Sequence, residues 1–155
     1  MSVKINEFSQ KCSKLFGEFL KQYGFELIAK NTAEYTDDHL YRKKEQYIQI
    51  MATNHWEWEK PYCNIVLGQG EAFALGDTTS IALWRLINKI EGNNLAVVYE
   101  FESEEDFESQ LKKAFNDLKS YGRDFLEGDL SLFYLVREEQ NREIGYIKND
   151  LYKLN

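Results

Sequence analysis

Two histidines, two cysteines and a run of acids carry most of the side-chain chemistry available to this 155-residue chain. His39 and His55, together with Cys63 and Asp38, come nearest to a metal-ligand set. No pair among them stands at HxH, HExxH or CxxC spacing, which would place two ligands on one side of a strand, helix or turn. No metal and no other cofactor is therefore expected. Nucleophilic catalysis through Cys63 would need a histidine held by a third, orienting group. The sequence identifies no such group, and no catalytic residue is assigned. Gly68 and Gly70 could suggest phosphate contact, but neither a Gly-Lys-Ser/Thr run nor dinucleotide-binding spacing accompanies them. They read as turn residues.

The side chains best suited to recognition lie elsewhere. His55, Trp56, Trp58 and Tyr62 gather at a corner between two predicted strands, and Tyr41 and Arg42 stand on the strand before them. Tryptophan and tyrosine dominate the energetic centres of protein interfaces, so such a corner could be a recognition patch. The plainer alternative is that the tryptophans fold over a sheet edge and shield it. Arg42 and Lys43 could hold an anion, although exposed strand faces carry such charges routinely. Glu100, Glu102, Glu104, Glu105, Asp106 and Glu108 form an acidic run with no base among residues 95–110. A helix start explains most of them, because its dipole favours anions. The run is also the strongest single-sign patch on the chain and would steer a basic partner. An acid–base pair of carboxylates would need burial to separate its two pKa values, which a helix start does not provide.

These residues need elements to hold them. Ile5–Tyr23 carries apolar residues in steps of three and four, with Gly24 at the stop, and predicts a helix. Phe25–Lys30 alternates and predicts a strand, with Ile28 out of phase. Asn31–Asp38 reads as a polar connection. His39–Lys44, Tyr47–Thr53 and Tyr62–Leu67 follow as strands whose short connections favour antiparallel pairing. Residues 68–76 read as a loop or a loosely paired extension. Asp77–Ser80 offers caps for a helix over Ile81–Glu91, and Leu95–Phe101 has the composition of an edge strand. Ser103 caps a long helix with apolar positions Phe107, Leu111, Ala114, Leu118, Tyr121 and Phe125, ending near Glu127. Asp129 can cap a further helix, and residues 137–155 form a charged helical tail able to meet another subunit.

The expected fold is α+β: an antiparallel sheet of four to five strands, with an N-terminal helix and two to three later helices mainly on one face. Residues 1–155 read as a single domain. Hydrophobic residues at 43% and aromatics at 15% exclude disorder. A net charge of −7 disfavours nucleic acid and anionic membrane as partners. Cys12 and Cys63 fall on apolar faces and read as small buried hydrophobes rather than a disulfide or a reactive thiol. Neither a signal-peptide core nor a membrane-length apolar run is present, so a soluble, cytoplasmic protein is expected.

Three phrases carry a resemblance. They are Phe19-Leu20-Lys21-Gln22-Tyr23-Gly24-Phe25, then His39-Leu40-Tyr41-Arg42-Lys43 followed by Tyr47-Ile48-Gln49-Ile50, and finally the run from Leu118 to Asp129. Together, spread over residues 8–130, they resemble a family of small, uncharacterised bacterial α+β domains, some of them labelled immunity-protein-like. The resemblance implies a binding role and brings no catalytic residues. Members often carry a charged strand–turn between the third and fourth strands. Here that place holds His55-Trp56-Glu57-Trp58-Glu59, which implies a different binding preference. The leading expectation is a non-enzymatic, acidic binding module for a basic protein partner. One alternative is a small-ligand binder or enzyme using Tyr47, Gln49, Tyr62 and Asn64. Another is a structural homo-oligomer joined through the tail.

Overall fold

The computed structural model describes residues 5–54, 60–71, 79–96 and 98–153. The order is α1 (Ile5–Gln22), β1 (Glu26–Thr32), β2 (Thr36–Lys43), β3 (Gln46–Thr53), β4 (Tyr62–Gln69) and β5 (Ser80–Ala82). Then come α2 (Leu83–Glu91), β6 (Tyr99–Glu100), α3 (Glu104–Tyr121), α4 (Arg123–Glu127) and α5 (Ser131–Lys153). The expected corner at His55, Trp56 and Trp58 and residues 72–78 of the glycine-bearing loop lie outside the described residues.

The fold is α+β. All the strand pairings are antiparallel, in the order β1-β2-β3-β4-β5, with β6 also joined to β4. Directly paired residues share a face. Asp37, His39 and Tyr41 therefore line up with Ala52, Ile50 and Ile48, and these with Cys63, Ile65 and Leu67. This aliphatic face receives the helices. From α1 it takes Phe8, Cys12, Phe16 and Leu20, and from α3 Phe107, Leu111, Ala114 and Leu118, all in one buried cluster. Complete burial of each large apolar side chain is worth roughly 1.5–3 kcal/mol, so shared burial holds the helices to the sheet.

The opposite face carries Leu40, Arg42, Tyr47, Gln49, Tyr62, Asn64 and Val66. Tyr47 is buried there without belonging to the main core. Its ring lies on Gly68, where an added Cβ would stand 2.0 Å from the ring Cζ. Tyr47 Oη meets Thr79 Oγ1 at 2.7 Å, and the Arg42 guanidinium lies 5.7 Å from the ring centre.

Several sequence expectations change. Asn31, Thr32, Asp37 and Asp38 belong to strands rather than to a connection. The Thr32 hydroxyl donates to Asp37 Oδ1 at 2.8 Å, which gives these polar residues a reason to extend the hairpin. In β1 the pairing slips between Leu27 and Ala29, so Ile28 is an extra residue and the alternation reverses there. Leu27 and Lys30 share the helix-facing side, while Ala29 points the other way. Of the two readings of residues 68–76, the paired extension holds for Gly68 and Gln69, which continue β4. Ser80–Ala82 is a short strand, not a capping turn, and α2 starts at Leu83 without a side-chain cap. Among the described residues of the expected Leu95–Phe101 strand, Tyr99–Glu100 is paired, the Phe101 N–H donates to the Pro61 carbonyl at 3.0 Å, and Leu95 is exposed. The long helix breaks at Gly122, where a Cβ would meet the Leu118 carbonyl oxygen at 2.7 Å. Ser103 caps α3 as expected, its hydroxyl accepting from the Asp106 N–H at 3.2 Å. Asp129 accepts from the Ser131 N–H at 3.1 Å, and the tail continues α5 without a break.

Candidate functional site: an acidic and aromatic sheet margin

The candidate side chains fall into two groups that the sheet keeps apart. Tyr41 is buried on the helix-facing side, whereas its neighbour Arg42 lies on the opposite face. There the Arg42 guanidinium donates to the carbonyls of Lys44 and Gly70 at 3.1 and 2.8 Å. Lys43 donates to the Leu126 carbonyl at 2.9 Å and lies 4.8 Å from the Phe25 ring centre. Residues 41–43 therefore brace the sheet and form no joint anion site.

Tyr62 and the acidic run, by contrast, come together. β6 pairs with β4 so that Glu100 stands directly opposite Tyr62, on the same face of the sheet. Just beyond, Lys60 donates to Glu102 Oε1 at 2.7 Å, with both side chains exposed. That hydrogen bond, and then the lysine charge, holds the Glu102 carboxyl below its usual value. Asp106 accepts from the Glu102 N–H at 3.2 Å, and Glu108 lies 3.5 Å from Lys11. Glu100 and Glu105 are exposed and make no ion pair among the described residues. The Glu104 side chain is outside what is described. The result is a half-buried tyrosine flanked by carboxylates along one sheet margin.

A second polar cluster, which sequence spacing does not flag, lies inside the molecule. His39 and Asp37 are both completely buried. His39 Nε2 lies 3.1 Å from Asp37 Oδ2 and 3.2 Å from Ser9 Oγ on α1. The residue types are those of a hydrolytic triad, but the geometry differs. In a triad the carboxylate holds Nδ1 and leaves Nε2 free to take the serine proton. Here hydroxyl and carboxylate converge on the same nitrogen, and Nδ1 has no partner. A carboxylate only accepts, so Nε2 carries the proton it donates to Asp37. It cannot act as a base toward Ser9. The cluster ties α1 to β2 instead. Its one sequence sign is the Asp37-x-His39 spacing, which puts two polar groups on an otherwise apolar strand face.

Burial pushes the His39 pKa below its ordinary 6.5, against the opposing pull of the Asp37 charge. A proton added at Nδ1 would be a buried N–H with nothing to accept it. The unfolded chain therefore takes up a proton as pH falls through about 6.5, while the folded chain does not. Stability should fall from pH 7.5 to 5.5, by at most about 1.4 kcal/mol per pH unit for this one group. Asp38 works in the opposite sense at lower pH, because burial and the Asp37 charge raise its pKa from 3.8. Urea melts at the two pH values should show the loss, and His39→Gln, which keeps an N–H donor, should remove the pH-dependent part.

Burial also raises both thiols, Cys63 to about 12, so each stays protonated and packs as a small apolar group. Among the described residues no three His, Cys, Asp or Glu side chains converge to hold a metal ion. No described helix is long and apolar enough to cross a membrane. The chain shows no match to a family model, a curated protein or a solved structure.

Proposed function

We propose that the protein is a non-enzymatic binding module whose Tyr62–acidic margin receives a basic protein partner, in the manner of an acidic immunity-like protein. The register Tyr62 opposite Glu100 carries this reading. It brings an aromatic residue and a distant acidic run onto one surface, where an apolar anchor stands beside a mainly acidic cluster in which Lys60 pairs with Glu102. Tyrosine is enriched at the energetic centres of interfaces, and surrounding acids accelerate encounter with a cationic surface. The net charge of −7 acts in the same direction at longer range.

The small-ligand reading rests on Tyr47, Gln49, Tyr62 and Asn64. Of these, Tyr47 is committed to the Gly68 backbone and to Thr79, and Tyr62 stands against Glu100 at the acidic margin. The binding-module reading is therefore the better supported.

The test is calorimetric titration with the basic domains encoded beside its gene, using wild type and the double variant Glu100→Lys/Glu105→Lys. Neither residue holds the fold together through an ion pair among the described residues, so the variant should melt as wild type does. The expected result is binding by wild type, weakened about tenfold or more in the variant at low salt, with a gap that narrows as salt screens the charges. Failure to bind any such domain, or equal binding by both proteins, contradicts the proposal.

A further inference from the structure

A different surface, independent of the acidic margin, has features that packing does not explain. Between α1 and β1 runs an open groove of about 740 Å³, whose apolar lining includes Gly17, Phe25, Leu27 and Tyr41. That volume lies in the range of small-molecule sites.

Gly17 is the first clue. It sits inside α1, where glycine costs roughly 1 kcal/mol relative to alanine. Its backbone is not left-handed, and a Cβ built on it meets nothing within 4 Å. Neither conformation nor packing requires a glycine there. What its missing side chain does is keep the helix wall of the groove open. As a consequence Leu27, on the helix-facing side of β1, remains 41% exposed.

Two hydroxyls are the second clue. Ser13, one turn before Gly17, has a buried Oγ without a hydrogen-bond partner. Tyr41, 2% exposed, reaches the groove with a hydroxyl that makes no hydrogen bond among the described residues. Buried polar groups are nearly always satisfied, so the unsatisfied Ser13 Oγ asks for a partner, and Tyr41 in the same lining can add a second donor. Both can donate, and burial raises the Tyr41 pKa, which keeps that proton in place. On the rim, Lys14 and Lys21 add positive charge and Glu18 and Glu26 negative charge, and none of the four makes an ion pair among the described residues.

We propose that this groove binds a small amphiphile: an apolar chain or ring against Gly17, Phe25 and Leu27, with a carboxylate or carbonyl head accepting from Ser13 and Tyr41. An added peptide strand is disfavoured as the occupant. The Ile28 bulge interrupts the spacing of outward backbone groups on β1, a device by which edge strands resist pairing.

The test uses decanoate, methyl decanoate and decylamine as probes, followed through backbone amide shifts of the full chain. Decanoate should perturb Ser13, Gly17 and Leu27 saturably, and decylamine should not. Methyl decanoate separates the head groups, since equal binding assigns a carbonyl site and weaker binding a carboxylate site. Gly17→Leu fills the groove and should melt no lower than wild type while weakening decanoate at least tenfold. Ser13→Ala and Tyr41→Phe should each weaken it several-fold. Absence of saturable shifts, or binding unchanged in Gly17→Leu, overturns the proposal.

Discussion

Asp37→Ala is expected to lower unfolding stability by about 3 kcal/mol, one of the two largest single-residue effects argued for this protein. The carboxylate is completely buried and accepts from the Thr32 hydroxyl at 2.8 Å and from His39 Nε2 at 3.1 Å. Removing it leaves Thr32 without its acceptor and His39 with only Ser9 at 3.2 Å. Asp37→Asn should rescue most of this loss. Its amide oxygen can accept from His39 Nε2–H while its NH₂ donates to the Thr32 hydroxyl, which accepts as well as donates. The asparagine variant should therefore lose only about 1 kcal/mol, the difference between a charged and a neutral acceptor. Urea midpoints with unchanged slopes would report both values, and wild-type stability in Asp37→Ala would remove the tether between α1 and β2 from this account.

Gly68→Val is the second. The Tyr47 ring occupies the place where a side chain on residue 68 would begin, with Cβ-to-ring distances of 2.0 and 2.4 Å. Residue 68 is strand backbone, so the clash is with the ring and not with an unusual conformation. Valine must expel the ring, which breaks the 2.7 Å contact with Thr79 and the Arg42 stack together. Overpacking of this kind costs about 1–3 kcal/mol, and the lost hydrogen bond adds about 1 kcal/mol. A double-mutant cycle separates the cause. In a Tyr47→Ala background the same glycine substitution should cost much less, since the obstructing ring is gone. Equal cost in both backgrounds would mean that the backbone at residue 68, and not the ring, requires glycine.

The parts of this fold that are local in sequence were legible as patterns. The four-residue steps of Phe8, Cys12, Phe16 and Leu20 mark the buried side of α1, and the alternation of Ile48, Ile50 and Ala52 marks the inner face of β3. Ser103 and Asp129 announce helix starts because capping depends on oxygens next to the backbone they serve. The misreadings depend on contacts that apolar spacing does not record, some of them local and some between separate strands. Thr32 and Asp37 look like loop residues until one is seen to satisfy the other across the hairpin. Ser80–Ala82 is too short to declare itself a strand without β4 beside it. The break at Gly122 reflects a close approach to the Leu118 carbonyl, which no apolar spacing records.

The candidate site divides in the same way. Tyr62 and the acids from Glu100 to Glu108 stand out by residue type, but their union depends on the β4–β6 register. Tyr41 and Arg42 are neighbours in sequence and therefore point to opposite faces, as strand geometry requires. The buried Ser9–His39–Asp37 cluster spans α1 and β2 and has almost no sequence signature.

The most direct test of the central claim is a map of amide shift changes while an unlabelled basic domain encoded beside the gene is titrated into the labelled chain. The account predicts that the largest changes fall on Tyr62, Glu100, Glu102 and Glu105, and that they fade as salt rises. Changes centred on α5 or on the α1–β1 groove, with the β4–β6 margin silent, would contradict it.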